Sequence, residues 1–150
     1  MKTIEINAAD WGKGYREADG NDYRIVVPAG TRRRIYTLAG DHGGSITVTG
    51  DGEGDAMRWG VGSGHAHREG NGHAERKGNG DGHATREGDG YGDALRHGDG
   101  EGHAYRDGDG DGNALRTGNG NGDATRDGDG EGDAYRTGDG DGSAYRTGDG

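Results

Sequence analysis

Three histidines, His65, His73 and His83, recur at the same place within a repeated segment, and Asp93 and His103 follow at equivalent places. Imidazoles brought side by side can hold a transition metal, or form a patch whose charge changes near neutral pH. Elsewhere in the chain that position carries Asp or Asn, so the plainer expectation is a polar surface column, with these three histidines its weak metal candidates. Cation binding by acids is a second chemistry, because Asp107-Gly108-Asp109-Gly110-Asp111-Gly112 opens like an EF-hand loop. Its twelfth position is Gly118, where a bidentate Glu is needed, and no flanking helices fit. That site is excluded; weak calcium binding between paired Asp columns is left open.

Electrostatic recognition is the third chemistry, and the residues favour it most. With a ten-residue repeat, Asp89, Asp99, Asp109, Asp129 and Asp139 fall in one column and Asp81, Glu101, Asp111, Glu131 and Asp141 in another, while Arg86 through Arg146 form a basic ladder. Like charges stacked at the ~4.8 Å spacing of strands repel. Arginine rows, cations or a basic partner must therefore neutralise them. The position between Ala and Arg varies most: Met57, His67, Glu75, Thr85, Leu95, Tyr105, Leu115, Thr125, Tyr135, Tyr145. Tyr105, Leu115, Tyr135 and Tyr145 would make a partly apolar stripe beside the acids, suited to a protein surface or to bracing neighbouring coils.

Nothing in the sequence points to catalysis. There is no Cys, no phosphate-binding loop with its Lys and no nucleophile elbow, and the histidines and carboxylates imply no pocket. Direct nucleic-acid binding is disfavoured by charge, since Arg32-Arg33-Arg34 is the only basic cluster.

The elements that must carry these side chains follow from parity. From Gly50 to Gly150 every even-numbered residue is Gly, Ala or Arg, whereas the odd ones are mostly polar. Strands alternate in this way and helices do not. Ala followed by Arg two residues later recurs every ten residues from Ala84/Arg86 to Ala144/Arg146, which gives a decapeptide repeat of about ten copies. A fixed period of this kind indicates stacking, so the expected fold is an all-β solenoid of about ten decapeptide coils. Ten residues per turn leaves a thin interior, to be filled by Gly and Ala. One step, from Ala66/Arg68 to Ala74/Arg76, is eight residues. Losing two residues keeps side chains on their faces, whereas losing one would reverse them.

Residues 1–49 differ. Lys2 to Ile6, Tyr23 to Val27, Arg34 to Leu38 and Ser45 to Thr49 are β-branched or aromatic and read as four strands. They are expected to form a small N-terminal β cap, continuous with the solenoid of residues 50–150, whose far end is free to pair with another copy. Hydrophobic residues make up only 25% of the chain and Phe is missing, too little for an ordinary core. The N-terminus has no signal-like apolar run and no segment approaches a membrane span, so a cytoplasmic product without membrane contact is expected.

Charge is unevenly divided. Residues 1–50 are near neutral at +1, whereas residues 51–150 hold eleven Lys/Arg against twenty-two Asp/Glu, a net −11. Ten coils would span roughly 48 Å, or about one net charge per 4 Å, against one per ~1.7 Å for duplex DNA. In general character the repeat resembles Gly-rich, short-coil β-solenoids, and a small acidic rod is similar in concept to pentapeptide-repeat DNA mimics and to phage anti-restriction and anti-CRISPR proteins. The pentapeptide motif with its Leu or Phe core position is absent, so the resemblance transfers no residues. It implies a non-enzymatic inhibitor or adaptor occupying the basic, nucleic-acid-binding surface of a partner protein. Asp89, Asp99, Asp109, Asp111, Asp129, Glu131, Asp139 and Asp141 would be the electrostatic contacts, with Tyr105, Tyr135 and Tyr145 as anchors. The alternative is a structural rod, such as part of a phage fibre or spike, or a calcium-stabilised repeat protein.

Overall fold

The computed structural model describes residues 2–12, 15–61 and 63–149. Its strands are β1 (Thr3–Asn7), β2 (Tyr15–Glu17), β3 (Asp22–Val26), β4 (Arg34–Ala39), β5 (Ile46–Thr49), β6 (Gly54–Trp59) and β7 (Ala66–Glu69). They continue as β8 (Ala74–Lys77), β9 (Ala84–Glu87), β10 (Ala94–His97), β11 (Ala104–Asp107), β12 (Ala114–Thr117), β13 (Ala124–Asp127), β14 (Ala134–Thr137) and β15 (Ala144–Arg146). Odd-numbered strands form one parallel sheet, in the order β1-β3-β5-β7-β9-β11-β13-β15, and even-numbered strands form the other, from β2 to β14. The chain is a β-solenoid: it alternates between two parallel sheets as it climbs.

Each ten-residue repeat supplies one strand and one corner, so partners in a sheet lie twenty residues apart, as in Ala94↔Ala114 and Arg96↔Arg116. A full turn therefore takes two repeats where the sequence reading expects one, and the strands make about seven turns. The reason is physical. A four-residue strand and a six-residue corner use up one repeat in crossing the body once, and a second repeat is needed to return. The eight-residue step is absorbed in the corner between β7 and β8, and register survives it: Ala56 pairs with Ala74 and Ala66 with Ala84.

The strands of residues 1–49 belong to the same two sheets, and β2 joins the four that the sequence pattern indicates. They fill the interior differently. Tyr23, Ile25, Val27, Tyr36, Leu38, Ile46 and Val48 are buried together, and Ala56 and Ala66 close the cluster. Trp11 packs edge-on against Tyr23, with the Arg16 guanidinium over both rings. Further along, the same inward positions pass to arginine: Leu38 pairs with Arg58, and Val48 with Arg68. The interior of the repeat is thus not the thin Gly/Ala layer that the sequence reading expects. Arg58, Arg68, Arg76, Arg86, Arg96, Arg106, Arg116 and Arg126 are fully buried, beside the buried alanines two residues before each.

Glycine is needed where corners stack. Gly98 has φ 118°, and a Cβ there would lie 2.4 Å from the Gly78 carbonyl oxygen one turn back. Gly98→Ala is expected to cost about 2–4 kcal/mol from positive-φ strain and backbone collision together. Gly12→Ala, at φ 87° in open space, should cost only about 1 kcal/mol. Thermal melts of the two variants check this, and equal effects would contradict the stacked-corner geometry.

Candidate functional site

From Arg76 onward each repeat arginine reaches both toward the corner that follows it and into the corner one turn back, whereas Arg68 reaches only back, to Gly50, Gly52 and Gly54. Arg116 donates from Nε to the Gly102 carbonyl (3.2 Å), from Nη2 to Gly100 (2.6 Å) and from Nη1 to Gly118 (2.5 Å). Arg96 repeats this with Gly82 (2.8 Å), Gly80 (2.7 Å), and the carbonyls of His97 (2.5 Å) and Gly98 (3.2 Å). Arg146 does so with Gly132, Gly130 and Gly148. The guanidinium suits this task because its donors are fixed in one plane and match several carbonyls at once. Burial and the neighbouring arginines pull Arg76 and Arg96 down to about 10, as they do Arg86, yet all three stay charged at neutral pH. Arg58, Arg68 and Arg86 through Arg146 are not within ion-pair distance of a carboxylate among the described residues. Backbone carbonyls hold the guanidinium charge inside, and outer acids such as Asp89 and Asp99 act on Arg86 and Arg96 only through longer-range attraction.

Outside, the odd-numbered residues form ladders of their own. The backbone N–H of Asp109 donates to Asp89 Oδ1 (3.1 Å), that of Asp129 to Asp109 Oδ1 (3.0 Å), and that of Asp149 to Asp129 Oδ1 (2.7 Å). Asp99, Asn119 and Asp139 follow Asn79 in the same manner on the other edge. The single column expected from a ten-residue turn is therefore two, because successive repeats lie on opposite sides. Glu101 caps Asp81, and Asp141 caps Asn121, on the edge of Asp99; Glu131 caps Asp111 on the edge of Asp109. All eight acids of the candidate surface are exposed.

The histidines divide likewise. His73 stands in the second sheet between Asp55 and Asp93, whereas His65, His83 and His103 stack in the first, with ring centroids 4.9 Å apart. Nδ1 of His65 accepts the N–H of His83 (3.0 Å), and Nδ1 of His83 accepts that of His103 (2.9 Å). Asp, Asn, Ser and His alternate at this position because the ladder needs a short acceptor, and neutral imidazole provides one. Nδ1 of His65, His83 and His103 is taken up by the backbone N–H of the next turn, which leaves only Nε2 of each to a metal.

The tyrosine stripe also splits. Tyr105 and Tyr145 stand in the first sheet with Thr125 between them, and Leu115 and Tyr135 stand in the second beside Leu95. Tyr135 and Tyr145 are exposed and Tyr105 is half-buried. Tyr105 borders an open groove of about 300 Å³ with His83, Thr85, His103, Asp123 and Thr125. The first sheet adds Glu69, Glu87, Asp107 and Asp127 in one outward column, while the second places Trp59, Lys77, His97, Thr117 and Thr137 there. One broad face is acidic and the other is mixed and more apolar. No helix is long and apolar enough to cross a membrane among the described residues. No protein-family model matches the chain, and no curated protein or solved structure matches it either.

Two outcomes follow from the ladders. Arg96→Met leaves several buried carbonyls without a donor, at about 1–3 kcal/mol each; a loss of about 3 kcal/mol or more in denaturant unfolding is expected, and a neutral effect would contradict the arginine's role. Burial, reinforced by its histidine neighbours, lowers His83 to about 4, below the unfolded value of about 6.5. The unfolded chain then binds more protons between these values, so the contribution is whole at pH 7 and is lost as pH falls from about 6.5 toward 4. His83→Asn keeps the acceptor and, with solvent screening of this half-buried ring allowed for, should remove about 1 kcal/mol of the acid destabilisation seen between pH 7 and pH 5. An unchanged pH profile in melts would refute the histidine ladder.

Proposed function

We propose that the protein is a non-enzymatic acidic rod that occupies the basic, nucleic-acid-binding surface of a partner protein, as an inhibitor or adaptor. The observation that carries this is the twenty-residue turn. One hundred repeat residues make about five turns and span about 24 Å at strand spacing, half the length that a ten-residue turn would give. The net −11 of residues 51–150 then amounts to about one charge per 2 Å, against one per ~1.7 Å in duplex DNA. Burial of eight arginines supports the same reading, because it leaves the outer surface to the acids. Asp89, Asp109 and Asp129 on one edge, and Asp99, Asp139 and Asp141 on the other, stand in for two rows of phosphates. Asp111 and Glu131 thicken the first row, and the exposed Tyr135 and Tyr145 add apolar anchorage next to them.

The ladder itself provides a clean test. Asn already serves at Asn79 and Asn119, so Asp89→Asn, Asp109→Asn and Asp129→Asn together remove three charges while keeping every Oδ1 acceptor. Displacement of a labelled duplex from a non-specific basic DNA-binding protein, followed by fluorescence anisotropy, reads the competition. Wild-type protein should compete, less so as salt rises, and the triple variant should compete at least tenfold more weakly with a shallower salt dependence. Competition indifferent to salt and to these substitutions would remove the mimic and favour a structural rod.

A further inference from the structure

We propose that His67, Glu69 and Glu87 bind a divalent transition-metal ion of the zinc class on the outer face of the first sheet, where β7 and β9 pair. His67 and Glu69 are two residues apart on β7 and so share a face, and Glu69 stands directly opposite Glu87 across the pair. The donor atoms of all three lie within 4.8 Å of one another. Nε2 of His67 is 3.3 Å from Oε1 of Glu69. In a tetrahedral zinc site with bonds of about 2.1 Å, adjacent ligand atoms are about 3.4 Å apart, so this pair already has the spacing of two ligands. A rotamer change of Glu87 brings in the third.

Two features favour an ion here. Two carboxylates opposed in register repel, and the arginines adjoining them, Arg68 and Arg86, point inward to carbonyls such as those of Gly52 and Gly72. His67 has no part in the ladder that employs His65, His83 and His103. Its column carries Thr85, Tyr105, Thr125 and Tyr145, and its Nε2, sealed from solvent, faces only the Glu69 carboxylate. One nitrogen and two carboxylate donors suit zinc, whereas calcium takes six to eight oxygens. Three protein ligands leave a fourth position for water or for a partner's side chain. The ion would tie β7 to β9 beside the shortened corner.

The test is zinc uptake by the full chain, measured by competition with a chromophoric chelator, together with thermal melts in zinc and in EDTA. One zinc per chain and a higher melting temperature in zinc are expected. H67T installs the residue that the column carries at Thr85, and should weaken zinc binding at least tenfold while melting like wild type in EDTA. E87Q should weaken it similarly, and decides the matter by the same criterion if H67T is itself unstable. H83N should bind zinc as wild type does. Failure of the wild type to bind, binding unchanged in both H67T and E87Q, or loss in H83N instead would overturn the proposal.

Discussion

The contact between a buried guanidinium and the carbonyls of two stacked corners governs the rest of this structure. A corner of alternating glycines turns several carbonyls inward, and unpaired carbonyls sealed from water are costly. Aliphatic side chains cannot satisfy them. Arginine can, because one side chain reaches carbonyls such as Gly80, Gly82 and Gly98 around Arg96. Since two of those belong to the previous turn, the same contact that satisfies a corner also ties consecutive turns. The charge is held by carbonyl dipoles in place of carboxylates, which leaves the acids of the repeat, buried Asp55 apart, on the outside.

This arrangement explains why the chain folds with so few hydrophobic residues. The first turns are sealed conventionally by Ile25, Leu38, Ile46 and Val48, and beyond Arg58 the stack becomes self-repeating. Each later turn is held by the backbone ladders, by inward arginines, and by outward Asp, Asn and His side chains accepting the N–H of the next turn. Ala is kept beside Arg since the two sheets must approach closely while the guanidinium extends toward the corner.

Parity was enough to read a solenoid and to predict that an eight-residue step would keep register, as Ala56↔Ala74 shows. It also separated inward from outward residues. It did not reveal that Arg faces the core, because arginine is ordinarily a surface residue. The signal was nonetheless present: Arg keeps the same even parity as Ala without exception. Nor did a ten-residue period say how many repeats make a turn, since one repeat is a whole strand-and-corner unit and the return strand is another copy of it. That single ambiguity moved Asp99 and Asp109, Tyr105 and Tyr135, and His73 and His83 into shared columns that the twenty-residue turn separates. The variable residue His67 gave no sign of its neighbours, because Glu87 comes to it through a pairing eighteen residues long.

The burial of the arginines is also what makes the surface acidic at short range and so connects fold to function. It is tested most directly by the reactivity of arginine toward a dicarbonyl reagent in the folded protein, with each site quantified by mass spectrometry. Arg24 and Arg32 are exposed, whereas Arg58 through Arg126 at the repeat positions are fully buried. Rapid modification of Arg24 and Arg32, with the buried eight protected until the chain is unfolded, is the result predicted. Modification of the repeat arginines at the rate of Arg24 in the folded state would contradict an arginine-filled interior.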